Sequence, residues 1–343
     1  MRKLLDNKPK NTNSFPREEP FLSIANFKDI RRIFGSKEWI YSYYSIFKPK
    51  EISLIKTEMK GKKKNIVLGF QKSSENKNIL VPLGTPYNDY NFVLPKTLKI
   101  NRHDLEIAAL SILRQMEDLR RSKYKIHLDL LFDYDEINIL KSFSENNNGL
   151  VIVESSTPGV RCVYENTLKK PDIVEKSFSQ KLLRRIKKQL SINKFTLKAI
   201  NGQDPNYQRA LQNLLLHRKI NFLSQNKEDH VSAFTTKFEQ FIKTLIKYPS
   251  VKPRTTIFEL TLNKKYVASD LFFNYQNIFL CYLRTFNRKD FSKISPGMIL
   301  SYLIHKALTS HMNCVIIDYT RGDELYKFRI GGKRTTLYRL IFN

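Results

Sequence analysis

Cysteine is scarce in this chain of 343 residues, which has only Cys162, Cys281 and Cys314. The three stand far apart in apolar, strand-like runs, which excludes a disulfide framework and points to reduced, buried thiols. Six histidines are scattered without HxxxH spacing, and no CxxC occurs, so a metal centre is not expected. Glycine is sparse as well, at 11, and there is a single tryptophan, Trp39, whose expected place is the core. No apolar run approaches the ~20 residues that a membrane span needs. The start of the chain turns polar after Leu5, so no secretory leader is expected either. Acidic residues are the largest deficit: 32 against 60 Lys and Arg, for a net charge of +28. A surface so charged attracts polyanions, among them nucleic acid, anionic lipid, acidic carrier proteins and phosphorylated cofactors. It also fits a plain lysine-rich composition. The expected setting is the cytoplasm, with peripheral attachment to a membrane surface as an option.

What is present reads as a globular protein: 41% hydrophobic and 12% aromatic residues, enough for one large or two medium domains. Residues 1–20, rich in Lys, Asn and Pro, are expected to be a disordered basic tail. Helical spacing then predicts helices over 27–34 and 36–47, the second capped by Ser36. Strand-like runs at 52–58 and 65–70 flank Gly61 and a group of lysines as a hairpin. Residues 81–90 read as a loop. The clearest amphipathic helix covers 104–120, with Leu105, Ala109, Ile112, Met116 and Leu119 on one stripe. A strand at 126–131, a short helix at 135–144 and strands at 150–154 and 161–164 follow. The second half gives helices at 207–224 and 231–247 and strands at 255–262, 265–274 and 277–286. A helix after Gly297, the Val315 strand and a last strand near 336–342 complete it. The two halves share order and rough length, which suggests an internal structural repeat, 21–170 and 171–343.

Lys169-Lys170-Pro171-Asp172 marks the join, and a basic helix over 179–190 follows it. Phe178, Leu182, Ile186 and Leu190 form one stripe of that helix, whereas Lys181, Arg184, Arg185 and Lys188 occupy another. One face can pack while the other stays cationic. Arginine suits phosphate recognition because its planar fork binds two oxygens at once. His217 lies in the next helix, where a lone histidine is more often a structural hydrogen-bonding group than a base.

The densest chemistry lies near the end of the chain. Ser295-Pro296-Gly297 opens a helix: Pro296 suits a first helical position, and Ser295 is a good cap. Gly297 lets a ligand approach the backbone, and Met298 follows at the same terminus. Free amides and the positive end of the helix dipole make such a terminus an anion site. The apolar run Cys314–Ile317 then ends in Asp318, and Arg321-Gly322-Asp323-Glu324-Leu325-Tyr326-Lys327 comes next.

On Ser295-Pro296-Gly297, Asp318, Gly322, Glu324, Tyr326 and Lys327, the sequence resembles the CelD/BcsL-like acetyltransferases of the GNAT superfamily. Their pattern is S-P-G and a helix, then a strand with D-x-x-x-G-x-E-x-Y-K. A looser match is their S-x-x-x-R-R helix, here Ser179 with Arg184 and Arg185, one residue longer. A loop pattern L-G-x-x-x-x-D-Y is matched by Leu83, Gly84, Asp89 and Tyr90, which could line a substrate cleft or serve as turn chemistry. An L-H-x-x-R pattern keeps only His217 securely. The resemblance spans roughly residues 25–341 and extends remotely to the FemAB-type aminoacyltransferases. It implies an α/β fold of two GNAT-like units facing each other, only the second keeping a phosphate-site turn.

The implied chemistry is acyl transfer. The donor carbonyl must be polarised, the acceptor must lose a proton, and the leaving thiolate must be stabilised or protonated. Ser295, Pro296, Gly297 and Met298 are then the donor-binding residues. Glu324 is the preferred base, with Asp323 and Asp318 as candidates, Lys327 as an electrostatic clamp and Tyr326 as the acid for the thiolate. Arg184, Arg185, His217, Asp89, Tyr90 and Arg321 are candidates for substrate contact. The donor is expected to be acyl-coenzyme A, with acetyl-coenzyme A preferred. The acceptor is an amine or hydroxyl on a nucleotide- or lipid-linked sugar or a cell-envelope polysaccharide precursor. The general GNAT phosphate loop has paired glycines, and only Gly297 is present here. An acyl carrier protein or an aminoacyl-tRNA therefore stays open as donor, although no sustained heptads suggest a tRNA-binding hairpin. A degenerate site and a non-catalytic nucleic-acid-binding protein are the competing readings.

Overall fold

The computed structural model describes residues 10–12, 27, 29–58, 65–91, 102–121, 124–132, 134–144, 150–154, 157–223 and 236–342. The hairpin turn at Gly61, the segment 231–235 and most of residues 1–20 lie outside them. Of those first twenty residues, the described three form a strand rather than a disordered tail. In chain order the first unit has β1 (Lys10–Thr12), α1 (Lys37–Phe47), β2 (Ile52–Glu58), β3 (Asn65–Lys72) and β4 (Ile79–Pro82). It continues with α2 (Arg102–Arg121), β5 (Lys125–Leu131), α3 (Tyr134–Ser144) and β6 (Leu150–Glu154). The second unit has β7 (Gly159–Glu165), α4 (Ile173–Ser177), α5 (Gln180–Ile192), β8 (Phe195–Asn201), α6 (Tyr207–Leu223) and α7 (Thr236–Leu245). Then come β9 (Thr255–Leu262), β10 (Lys265–Tyr275), β11 (Ile278–Phe286), α8 (Arg288–Phe291), α9 (Pro296–His311), β12 (Cys314–Arg321), α10 (Leu325–Arg329) and β13 (Lys333–Thr335). The last strand, β14 (Tyr338–Phe342), returns to the first unit.

The repeat is explicit in the strand orders. The first sheet runs β1-β2-β3-β4-β5-β14-β6, and the second, read the same way, runs β8-β9-β10-β11-β12-β7-β13. In each, an antiparallel meander ends in a strand that pairs in parallel with the strand after a helix: β4 with β5, β11 with β12. A parallel partner requires a crossover, and α2 and α9 supply it. The sixth strand of each sheet comes from the segment that has just left the other, β7 after β6 and β14 after β13. For this reason the units divide at Pro158/Gly159, not at 170/171, and residues 336–343 belong with the first unit. The register of β7 against β12, from Glu165 opposite Cys314 to Asp318 opposite Arg161, fixes its membership. The mixed α/β class expected from the sequence is the class observed: two mixed sheets flanked by helices.

In the first unit the buried stripe of α2, Ile112, Met116 and Leu119, packs with Ile55, Phe70, Leu80, Ile126 and Leu340. Trp39 is fully buried, as expected, and its indole N–H donates to Asn88 Oδ1 at 2.8 Å. The 81–90 run is only partly loop, because β4 takes residues up to Pro82. In the second unit Phe178, Leu182 and Ile186 of the basic stretch are buried against Ile299 and Leu300 of α9. That amphipathic reading holds, and α5 leaves Arg184, Arg185 and Lys188 exposed. The edge strand β8 has alternating half-exposed residues and no strong pattern, and the sequence did not reveal it. Two of the three cysteines are buried and Cys314 is half-buried, on β7, β11 and β12, with no disulfide.

Candidate functional site

The site is built where β11 and β12 part. They pair only from Ile278 opposite Ile316 to Leu280 opposite Asp318, after which β11 continues to Phe286 without that partner. After α8 and a turn of 3-10 helix, the chain enters α9 at Ser295. Ser295 does not cap as expected. It is left-handed, with φ 57°, and its side chain makes no cap bond. Instead its carbonyl accepts from both the Met298 and Ile299 amides, at 3.0 and 3.3 Å. Pro296 has no N–H, so the Gly297 amide is the one left open in that first turn. A Cβ added at Gly297 would come no closer than 3.9 Å to any other atom, Phe286 Cδ1. Gly297 therefore gives open space rather than a special backbone angle.

Cationic side chains supply what the backbone lacks. The Arg185 guanidinium of α5 stands 3.4 Å from Ser295 Oγ, across 110 residues of sequence. Arg185, Lys188 and Gln189 of α5 form a groove of about 220 Å³ with Lys293, Ile294 and Ser295. The fold thus brings together two of the predicted elements, the basic helix and the Ser-Pro-Gly turn. Arg184 is exposed and does not line this groove.

The charged cluster after β12 is largely engaged with itself. Lys327 is buried at 2% exposure, and its ammonium donates to the Arg321 and Gly322 carbonyls, at 2.6 and 3.2 Å, and pairs with Glu324 at 2.8 Å. Three acceptors satisfy a lysine ammonium, so Lys327 clamps its own loop and is not the free cation expected. Gly322, with φ +99°, gives that loop its turn, and a Cβ there would fall 2.5 Å from Glu324 Oε2. Glu324 and Asp323 are both exposed, Glu324 against Lys327 and Asp323 against Arg334. Asp318 is fully buried, bonded by Arg161 at 2.8 Å and by the Thr320 amide at 2.8 Å, which makes it a structural anchor rather than a base. Arg321 is half-exposed. Tyr326 is mostly buried; burial raises its phenol pKa above the ordinary value, and its ring lies 5.3 Å from the Arg284 guanidinium.

Arg284, which the sequence reading did not single out, stands beside the candidate site. It lies on β11 at the split, pairs with the fully buried Asp270 at 2.6 Å and donates to Ser301 of α9 at 2.9 Å. Burial opposes its charge, but the Asp270 carboxylate holds its pKa well above the ordinary value. A second missed feature is a buried relay. Ser177 Oγ donates to the Val174 carbonyl, so it accepts from Tyr164 OH; Tyr164 in turn accepts from His305 Nδ1–H, at 2.7 Å. His305 Nε2 then accepts from Tyr319 OH, at 2.7 Å. This assignment requires neutral His305, and burial, aided by Arg284, lowers its pKa to about 3. The Tyr319 proton is committed to the relay and is not free for a leaving group.

Three substrate candidates, Tyr90, Asp89 and His217, do not line this groove. Tyr90 is a core residue with no exposure, edge-on to Phe132, and Asp89 is buried beside it. The side chain of Asn88 donates to the Leu83 carbonyl and to Asn91 Oδ1, and Asn91 donates to the Asp129 carbonyl. That loop is turn chemistry, the plainer of the two expectations. His217 is half-buried on α6, stacked on Tyr266 at 4.2 Å and 12°, and burial lowers its pKa.

Residues 176–328 match the model of the acetyltransferase (GNAT) domain family. No curated protein matches the chain. Among solved structures, FemX matches with a TM-score of 0.57 at 11% identity, over 90% of this chain and 92% of that one. A conserved protein of unknown function from Bacteroides thetaiotaomicron matches with a TM-score of 0.55 at 11% identity, over 98% and 100%. The L-PGS structure from Bacillus licheniformis matches with a TM-score of 0.51 at 10% identity, over 89% and 91%. At these identities the structures speak for the fold alone. The family match thus covers most of the second unit and indicates acyl transfer as the chemistry of residues 176–328. Among the described residues no helix is long and apolar enough to cross a membrane.

Proposed function

We propose that the chain moves an acyl group, acetyl first among the candidates, from an acyl-coenzyme A donor to an amine or hydroxyl. The proposed acceptor is a sugar or a cell-envelope polysaccharide precursor, the substrate class of the CelD/BcsL-like enzymes that the Ser-Pro-Gly and D-x-x-x-G-x-E-x-Y-K motifs resemble. The observation that carries this reading is the groove at Ser295. It sets the cations of α5 against Ser295, two residues before an uncrowded glycine in the first turn of a 16-residue helix. Donor phosphates would rest on the Gly297 amide, Arg185 and Lys293, with Lys188 in reach, and the positive helix end favours them. Glu324, the carboxylate paired with the buried Lys327, stays the preferred base, with Lys327 holding its loop in place.

A second reading is supported by a different observation. The open edge of β11, where a pantetheine arm would lie, is already engaged: the Arg284 and Phe286 carbonyls accept from Arg218 and Asn221, at 3.2 and 2.8 Å. The matches to FemX and L-PGS keep aminoacyl transfer in play as the alternative, with an aminoacyl ester as donor. A thermal-shift series with acetyl-, longer acyl- and free coenzyme A, on wild type and Gly297→Glu, separates the two. Stabilisation lost in Gly297→Glu supports the thioester donor at this turn. No stabilisation by any of the three rejects coenzyme A in favour of a carrier-protein or aminoacyl donor.

A further inference from the structure

The second half of α6 is inside out. Its first half buries Ala210, Leu211, Leu214 and Leu215. Beyond them Leu216, Ile220 and Leu223 face solvent, at 54%, 45% and 50% exposure, while His217, Arg218 and Asn221 bond toward the sheet. A helix on a sheet ordinarily turns its apolar stripe inward. The inversion matches an unusual surface beneath it. Glu259 of β9, Ser269 of β10 and Thr285 of β11 stand side by side, Glu259 opposite Ser269 and Ser269 opposite Thr285, each at most 2% exposed. Asn221 donates to Thr285 Oγ1 at 3.1 Å, and the Tyr266 and Ser269 hydroxyls share a bond of 2.7 Å. The His217–Tyr266 stack stands over this row.

The Glu259 carboxylate is the charge in the seam. Its Oε1 accepts from Arg209 at 3.0 Å, and its Oε2, also buried, has no hydrogen-bond partner among the described residues. A buried carboxylate oxygen without a donor is costly to fold around, and an apolar residue would serve packing better. Arg209 is 53% exposed, so Glu259 lies one side chain below the surface.

We infer that this seam binds the acyl acceptor, and that Glu259 Oε2 receives an ammonium group carried on a small, hydroxyl-bearing compound. The inference rests on the acyl-transfer reading and gives it an acceptor class. The ammonium donates to the orphaned oxygen, the Ser269 and Tyr266 hydroxyls bond to neighbouring polar groups, and the stacked rings present a flat face. Glu259, Ser269, Tyr266 and Asn221 come from three elements, β9, β10 and α6, and no one motif, which is why the sequence does not show them as a set.

The test is calorimetric titration of the full chain with D-glucosamine and with N-acetyl-D-glucosamine, which lacks the ammonium. Wild type, Glu259→Gln and Glu259→Asp are compared, and the thermal midpoint and coenzyme A response of each are recorded. The expected result is binding of D-glucosamine to wild type, weakened roughly tenfold or more in Glu259→Gln, because a hydrogen bond to a charged group is lost. Glu259→Asp keeps the preference for the ammonium sugar. The midpoint of Glu259→Gln does not fall, since a buried charge is removed. The inference is overturned if wild type ignores D-glucosamine, or if Glu259→Gln binds it as well as wild type does. It is equally overturned if Glu259→Gln loses its midpoint and its donor response together, the mark of a merely structural partner for Arg209. A wild type that binds D-glucosamine yet ignores every coenzyme A species supports the seam and rejects only the donor.

Discussion

Two of the buried polar networks, one taken from each unit, show opposite logic. In the first unit the Trp39 indole, the Asn88 amide and the Asn91 amide hand hydrogen bonds along to the Asp129 carbonyl, and each of those donors finds an acceptor. In the second unit the seam beneath α6 has the same richness in polar groups but leaves Glu259 Oε2 unmatched. A network that closes on itself fixes a loop, here residues 83–91. One that stays open retains a site for something else, at a cost in stability. Homologous topology therefore does not imply homologous use: both sheets place a parallel strand pair after the meander, but the open carboxylate stands under α6 of the second unit.

The comparison can be broken in several places. The largest effect is expected at Asp270→Ala. It strands the buried Arg284 charge, and loss of one partner of such a pair costs about 3–5 kcal/mol, read as a drop in the urea midpoint. Next is Trp39→Phe in the closed network, expected to destabilise by about 1–3 kcal/mol because Asn88 Oδ1 loses its donor while staying buried. If Trp39→Phe is neutral and Glu259→Gln is the damaging change, the contrast between closed and open networks fails. His305 sharpens the picture through pH. Its folded pKa, about 3, lies below the ordinary 6.5, so its contribution is complete above about pH 6.5 and is lost as pH falls toward 3. Wild type should lose up to about 1.4 kcal/mol per pH unit in that window from this group, and His305→Phe should show a correspondingly flatter acid slope. Smallest is Gly297→Ala, where nothing crowds the new methyl. It should change stability by less than about 0.5 kcal/mol, in contrast to Gly322→Ala, whose left-handed angle should cost about 1 kcal/mol; paired thermal melts would show it.

Much of the fold was legible because periodicity is local. The stripe of α2, the split of α5 into an apolar and a cationic face, and the meander at 255–286 all follow from spacing along a few turns or residues. The Ser-Pro-Gly helix start was legible too, although its capping detail was not: the left-handed angle of Ser295 is set by the 3-10 turn before it. Lys327 and Asp318 looked reactive in sequence because charge draws notice. Burial and partners assign them to holding structure, and partners cannot be read from a single stretch.

The sequence by itself determined most of the longer helices and strands, the class and the net positive charge, since each rests on composition or on residues close together in the chain. The tertiary structure alone decided the exchange of β7 and β14 between sheets, the meeting of Arg185 with Ser295, the pairing of Asp270 with Arg284 and the row of Glu259, Ser269 and Thr285. The meeting of Arg185 with Ser295 depends on how two helices pack, and the pairings on β9, β10 and β11 depend on strand register. Register is a long-range choice, and a single residue's slip would send those strand side chains to the other face.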